Sequence, residues 1–177
     1  MKLYDIIRAA GRGEIVGSLA KEAGIERDQA EQVLRTLLPE LGRAVRRTGE
    51  SQTGAPVVHA ALHDERYARY LENPTALLEP VAAQEGERVL EEVMEHEQRD
   101  EVVRGAAAVT NVGEATVRRL LPLVATLAMA ALGQQLREES PEIPWFGTRP
   151  GDQFGAPLLN ALAAMFEHED EPPPERR

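Results

Sequence analysis

The sequence predicts an all-α fold, a single bundle of about eight helices, on three observations. First, apolar residues make up 42% of the chain but aromatics only 4%, so the core must be aliphatic. Leu- and Ala-rich cores favour helices, whereas strands draw on β-branched and aromatic residues. Second, apolar residues recur at three- and four-residue spacing along most of the chain. Third, segments 14–45 and 101–136 form an internal pseudo-repeat. Each has a short helix with one apolar face, a Gly or Asn stop, and a longer helix carrying Leu-Leu-Pro.

The elements follow in order. Leu3–Ala9 is a short amphipathic helix ended by Gly11 and Gly13. Glu14–Ala23 places Ile15, Val16, Leu19 and Ala23 on one side. Gly24 suits the left-handed position after a helix, and Ile25 can fold back on it as the hydrophobic contact of a Schellman stop. Arg27–Arg47 carries Ala30, Val33, Leu34, Leu37, Leu38 and Leu41 at helical spacing. Pro39 has no N–H for the Arg35 carbonyl, which predicts a kink or two helices meeting there. Thr48–Ala55 reads as a linker. Pro56–Leu71 reads as one helix with Val57, Val58, Ala61, Leu62, Tyr67 and Tyr70 inward. Asn73-Pro74 opens a short helix broken near Pro80, and Gly86–Glu97 turns Val89, Leu90, Val93 and Met94 inward.

In the second unit Asn111 replaces Gly24, since Asn tolerates left-handed geometry, and Val112 replaces Ile25. Beyond Leu120-Leu121-Pro122 the two units diverge. Glu40, Arg43, Arg46 and Arg47 keep one face of the first unit wet, whereas Leu120–Leu132 has almost no polar side. A helix apolar all round is buried all round, so this rod belongs at the bundle's centre. Its uncharged stretch, 120–133, is shorter than the roughly 20 residues a membrane span needs, and no membrane insertion is expected. Residues 138–153 form a Pro/Gly-rich connector, 154–166 an amphipathic helix with Phe154, Leu158, Leu162 and Phe166 at four-residue steps, and 167–177 an acidic, Pro-rich tail expected to be disordered.

The net charge of −10 opposes general nucleic-acid or anionic-membrane binding. Without cysteine there are no disulfides or thiolate metal sites, which fits a cytoplasmic location.

The two units, the Tyr70-Leu71-Glu72-Asn73-Pro74-Thr75-Ala76-Leu77-Leu78 turn between them, and Leu120-Leu121-Pro122-Leu123 resemble the bacterial domain-of-unknown-function family DUF937 over residues 3–137. Where that family has a Gly-rich stretch before the second unit, this chain has Gly86-Glu87-Arg88-Val89-Leu90. The resemblance implies an all-α fold of the YidB-like kind. It implies no activity and no functional residues.

Candidate sites are few. The corner at 15–35 has the small, turn and core positions of a helix-turn-helix. Arg27, Gln29, Gln32 and Arg35 are its DNA-facing candidates, but Glu26, Asp28 and Glu31 would oppose phosphates, so a packing corner is favoured. Arg43, Arg46 and Arg47 form a basic cluster suited to an acidic partner or to offsetting a helix dipole. His59 and His63, four apart on a helix, are weak candidates for a metal site and hence for a metal-dependent enzyme. The zinc-protease pattern needs a glutamate where Ala60 stands, and no third ligand is indicated. Glu92 and His96 repeat the four-residue spacing. No nucleophile elbow, phosphate loop or dinucleotide fingerprint occurs, so no catalytic residue and no cofactor is expected. Trp145 and Phe146, with the Phe154–Phe166 stripe, are candidates for self-anchoring or partner contact. The reading favoured overall is a non-enzymatic interaction or assembly module whose partner is a protein or a second copy.

Overall fold

The structure is a computed structural model and describes residues 3–139. Among these it has eight α-helices and no strand. They are α1 (Leu3–Ala9), α2 (Ile15–Ala23), α3 (Arg27–Glu50), α4 (Ala55–Leu62), α5 (Arg69–Glu72), α6 (Pro80–Val93), α7 (His96–Thr110) and α8 (Glu114–Glu139). Three 3-10 turns, Ala10–Gly13, Glu65–Tyr67 and Pro74–Leu78, join neighbours. The helix at 154–166 and the tail at 167–177 lie outside the described residues. So do Trp145, Phe146, Phe154, Leu158, Leu162 and Phe166. α8 takes in Glu138 and Glu139, the first two residues of the connector expected over 138–153, and the rest of that connector lies outside the described residues.

Both stop signals act as the repeat requires. Gly24 is left-handed (φ 68°, ψ 37°), and the Ile25 N–H reaches back to the Ala20 carbonyl at 3.0 Å. Asn111 takes the same conformation (φ 56°, ψ 28°) before α8. Glu26 and Glu95 then close capping boxes with Gln29 and Gln98 at the starts of α3 and α7.

The prolines do not break their helices. Pro39 lies within α3 and Pro122 within α8, each a single element. A helix-interior proline costs about 3 kcal/mol. Each buried leucine returns about 1.5–3 kcal/mol, and Leu34, Leu37, Leu38 and Leu41 are all buried around Pro39. Leu120, Leu121 and Leu123 do the same around Pro122. The pseudo-repeat is also out of step. Pro39 follows Gly24 by 15 residues and Pro122 follows Asn111 by 11, a difference of four, or about one turn.

Three expected elements are redrawn. α3 continues to Glu50, leaving a tight turn in which the Gly54 N–H donates to Ser51 Oγ (2.9 Å). The helix expected over 56–71 stops at Leu62. There Asp64 turns extended, and its carboxylate captures the Arg66 N–H (3.0 Å) and guanidinium (2.9 Å to Nε), a local bond that competes with the helix. Within α4 the buried positions are Val58 and Leu62, one turn apart, and Val57 is exposed rather than inward. The helix expected over 86–97 starts earlier, with Pro80 at its first turn, and ends at Val93, because Met94 is extended and Glu95 caps α7.

α8 is the spine, and each of the other seven helices packs against it. Every residue from Leu120 to Gly133 is buried. At 26 residues α8 is long and apolar enough to cross a membrane, but 78% of its most apolar window is covered by its neighbours. α6 makes the most intimate contact. Gly86 lies directly on the Pro122 carbonyl, and Thr126 Oγ1 donates to the Ala82 carbonyl at 2.8 Å.

Candidate functional site

An apolar groove of about 930 Å³ opens at the start of α8. One wall is Leu78, from the Pro74–Leu78 turn, with Pro80 and Ala83 of α6. The facing wall is Ala115, Pro122 and Leu123 of α8. Pro122 lines this surface, and it leaves the Arg118 carbonyl, on a groove residue, without its usual intrahelical donor.

Charge rings the opening. Arg118 Nη1 bonds Asp100 Oδ1 at 2.6 Å. Arg119 Nη2 bonds the Glu22 carbonyl at 2.7 Å and approaches its carboxylate at 3.7 Å. Glu87 holds Arg99 Nη1 at 3.3 Å. Glu79 and Glu114 complete the rim on different helices, and neither forms an ion pair among the described residues.

The sequence-predicted residues go elsewhere. Arg27 Nη2 donates to the Gly13 carbonyl (2.7 Å), and Gln29 accepts the Glu26 N–H (3.2 Å). Arg35 lies over the Tyr4 ring, 4.1 Å from its centroid, and bonds Glu31 at 3.1 Å, while Tyr4 Oη donates to the same carboxylate. Burial and the bond to Glu31 raise the Tyr4 pKa, and the bonds from Tyr4 and Arg35 lower that of Glu31. Gln32 is exposed one turn before Thr36, whose hydroxyl donates to its carbonyl (2.9 Å). Three of the four DNA-facing candidates thus hold the corner together. In the basic cluster, Arg43 pairs with Glu40 (2.5 Å) and Arg46 with Glu50 (3.8 Å), while Arg47 borders a polar groove with Glu91, Glu92 and Glu95.

His59 and His63 stack with ring centroids 4.2 Å apart, and the His63 ring bonds the His59 carbonyl at 2.9 Å. Burial, then the charge of His63, hold the His59 imidazole below the ordinary histidine value. Among the described residues no third His, Cys, Asp or Glu joins them to hold a metal ion. Glu92 and His96 lie on separate helices, α6 and α7, so their four-residue spacing does not place them on one face.

One buried polar cluster was not foreseen. Tyr70 Oη donates to Glu85 Oε2 (2.6 Å) and accepts from Arg69 Nη2 (2.5 Å). Burial and the bond to Glu85 push the tyrosine up to about 12. The cluster joins α5 to α6. Only the inward placement of Tyr70 was legible beforehand. The groove itself had no local signal, because its walls are some 40 positions apart in the chain.

Fold and groove together define a helical bundle organised around one buried spine, with an apolar cleft beside that spine's first turns. The chain belongs to the family of bacterial proteins of unknown function, DUF937, whose model matches residues 5–135. Neither a curated protein nor a solved structure matches it. The family region contains the whole groove.

Proposed function

We propose that this chain is a non-enzymatic interaction or assembly module of the bacterial cytoplasm. The groove at the start of α8 carries this reading. It combines an apolar floor with a charged rim, the composition of a surface that takes up another chain rather than one that performs a reaction. Its neighbours Gly86 and Thr126 lock the two walls together, so the cleft is preformed and binding does not have to order it.

Light scattering and affinity capture of the full chain test the reading, with Ala83→Gln placing an uncharged side chain into the cleft. Self-association or a retained protein that disappears in the variant is expected. A strict monomer that retains nothing rejects the module. A partner retained equally by both proteins rejects the groove as its site.

A further inference from the structure

Resting on that reading of the groove, we propose its occupant: an amphipathic segment of another protein, apolar on one face and flanked by Lys or Arg on both sides. The floor calls for the apolar face. Leu78, Pro80 and Ala83 stand opposite Ala115, Pro122 and Leu123, the arrangement a helical stripe fills. The rim calls for the cations. Arg118 and Arg119 are already committed to Asp100 and Glu22, and Glu87 to Arg99. Neither Glu79 nor Glu114 is in an ion pair within 4 Å, although Arg69 lies near enough to Glu79 to feel its charge, and the two stand on different helices of the groove.

Both carboxylates sit at helix starts, Glu79 at the N-cap position of α6 without a side-chain cap bond and Glu114 in the first turn of α8. The groove is lined by four carboxylates, Glu22, Glu79, Glu87 and Glu114, against two guanidiniums, Arg118 and Arg119, so its rim stays net negative even with the positive ends of two helices counted. A basic flank on each side of the incoming stripe matches that pattern. The chain's own stripe at Phe154–Phe166 is followed by Glu167, Glu169, Asp170 and Glu171, which these rims would repel.

The probe is a fluorescein-labelled helical peptide of about 18 residues, five turns long, with a leucine stripe. It is made in two forms, flanked by lysines or by glutamates, and read by anisotropy against the full chain. The lysine form should bind about tenfold more tightly, given several exposed charge pairs each worth up to about 1 kcal/mol. The double variant Glu79→Lys/Glu114→Lys should reverse the preference. The charge-matched control Glu65→Lys/Glu101→Lys, on exposed residues away from the groove, should leave it unchanged.

Equal loss in both double variants overturns the proposal, since net charge alone would then explain the binding. Equal binding of the two peptides, abolished by Ala83→Gln, also overturns it while leaving the groove as an interaction surface. Tighter peptide binding by Leu158→Ser/Leu162→Ser would assign the groove to the chain's own C-terminal segment. Self-association that Glu79→Lys/Glu114→Lys abolishes would assign it to a second copy. Either result overturns the proposal.

Discussion

Gly86 and Pro122 meet backbone to backbone: a methyl group built on Gly86 would lie 1.8 Å from the Pro122 carbonyl oxygen. No side chain can yield there, because the obstacle is main chain. α6 sits as close to the spine as it does only because position 86 has no Cβ.

Gly86→Ala should therefore destabilise the protein by at least the ~1–3 kcal/mol typical of overpacking, despite alanine's better helix propensity. Gly105→Ala is the control. A methyl group added there on α7 would meet nothing within 4 Å, so this variant should be more stable by about 0.5–1 kcal/mol. Urea unfolding of the two variants should move the midpoint in opposite directions.

Tyr70→Phe removes the hydroxyl that Glu85 accepts, and leaves that buried carboxylate with Arg69 at 3.8 Å. A loss of about 1–3 kcal/mol is expected, the cost of stranding a buried acceptor. Glu85→Gln keeps an acceptor for the hydroxyl and should lose less. Spectrophotometric titration of the wild type should show one phenol ionising near pH 12.

Acidification should act in two windows. Burial lowers the His59 pKa, so the unfolded chain takes up this proton more readily than the folded one. The stability tied to a neutral His59 is complete above its unfolded value of 6.5 and is lost as the pH falls through its lower folded value. Thermal unfolding between about pH 7.5 and 5 should show a decline that His59→Gln flattens. The ion-paired carboxylates Glu31, Asp64 and Asp100 are also lowered, and their contribution is present above the unfolded values of 4.5 for Glu and 3.8 for Asp. A second decline should therefore set in below those values, as the pH falls through the folded ones.

Pro39→Ala restores an N–H opposite the Arg35 carbonyl at a half-buried position. The propensity difference is about 3 kcal/mol. Loss of the ring's own packing reduces the gain, so a stabilisation of about 1–2 kcal/mol should appear in chemical unfolding. No increase would mean that the ring's contacts, and not tolerance of a bent backbone, keep proline there.

What could be read beforehand was the chemistry of single positions. Gly24 and Asn111 had to accept left-handed geometry, and the rod from Leu120 to Leu132 had no face to show water. What could not be read were contests between local and distant forces. Pro39 left open a kink or two helices meeting because the loss of a backbone bond is visible in sequence, whereas the leucine burial that keeps α3 a single element depends on neighbouring helices. Asp64 ended a helix through a bond to Arg66 that periodicity does not register. The groove brings Pro80 and Ala83 of α6 together with Ala115 and Leu123 of α8, remote in the chain, and no motif marks such a set.

Because seven helices lean on α8, the order of synthesis has a consequence. A ribosome adding residues from the N-terminus completes this spine after every element that packs on it. Until about Leu132 has emerged, α1, α3, α5 and α6 lack the helix they pack on, and the nascent chain exposes aliphatic faces to its surroundings. Premature termination anywhere before that point would release a sticky fragment rather than a smaller version of the same bundle.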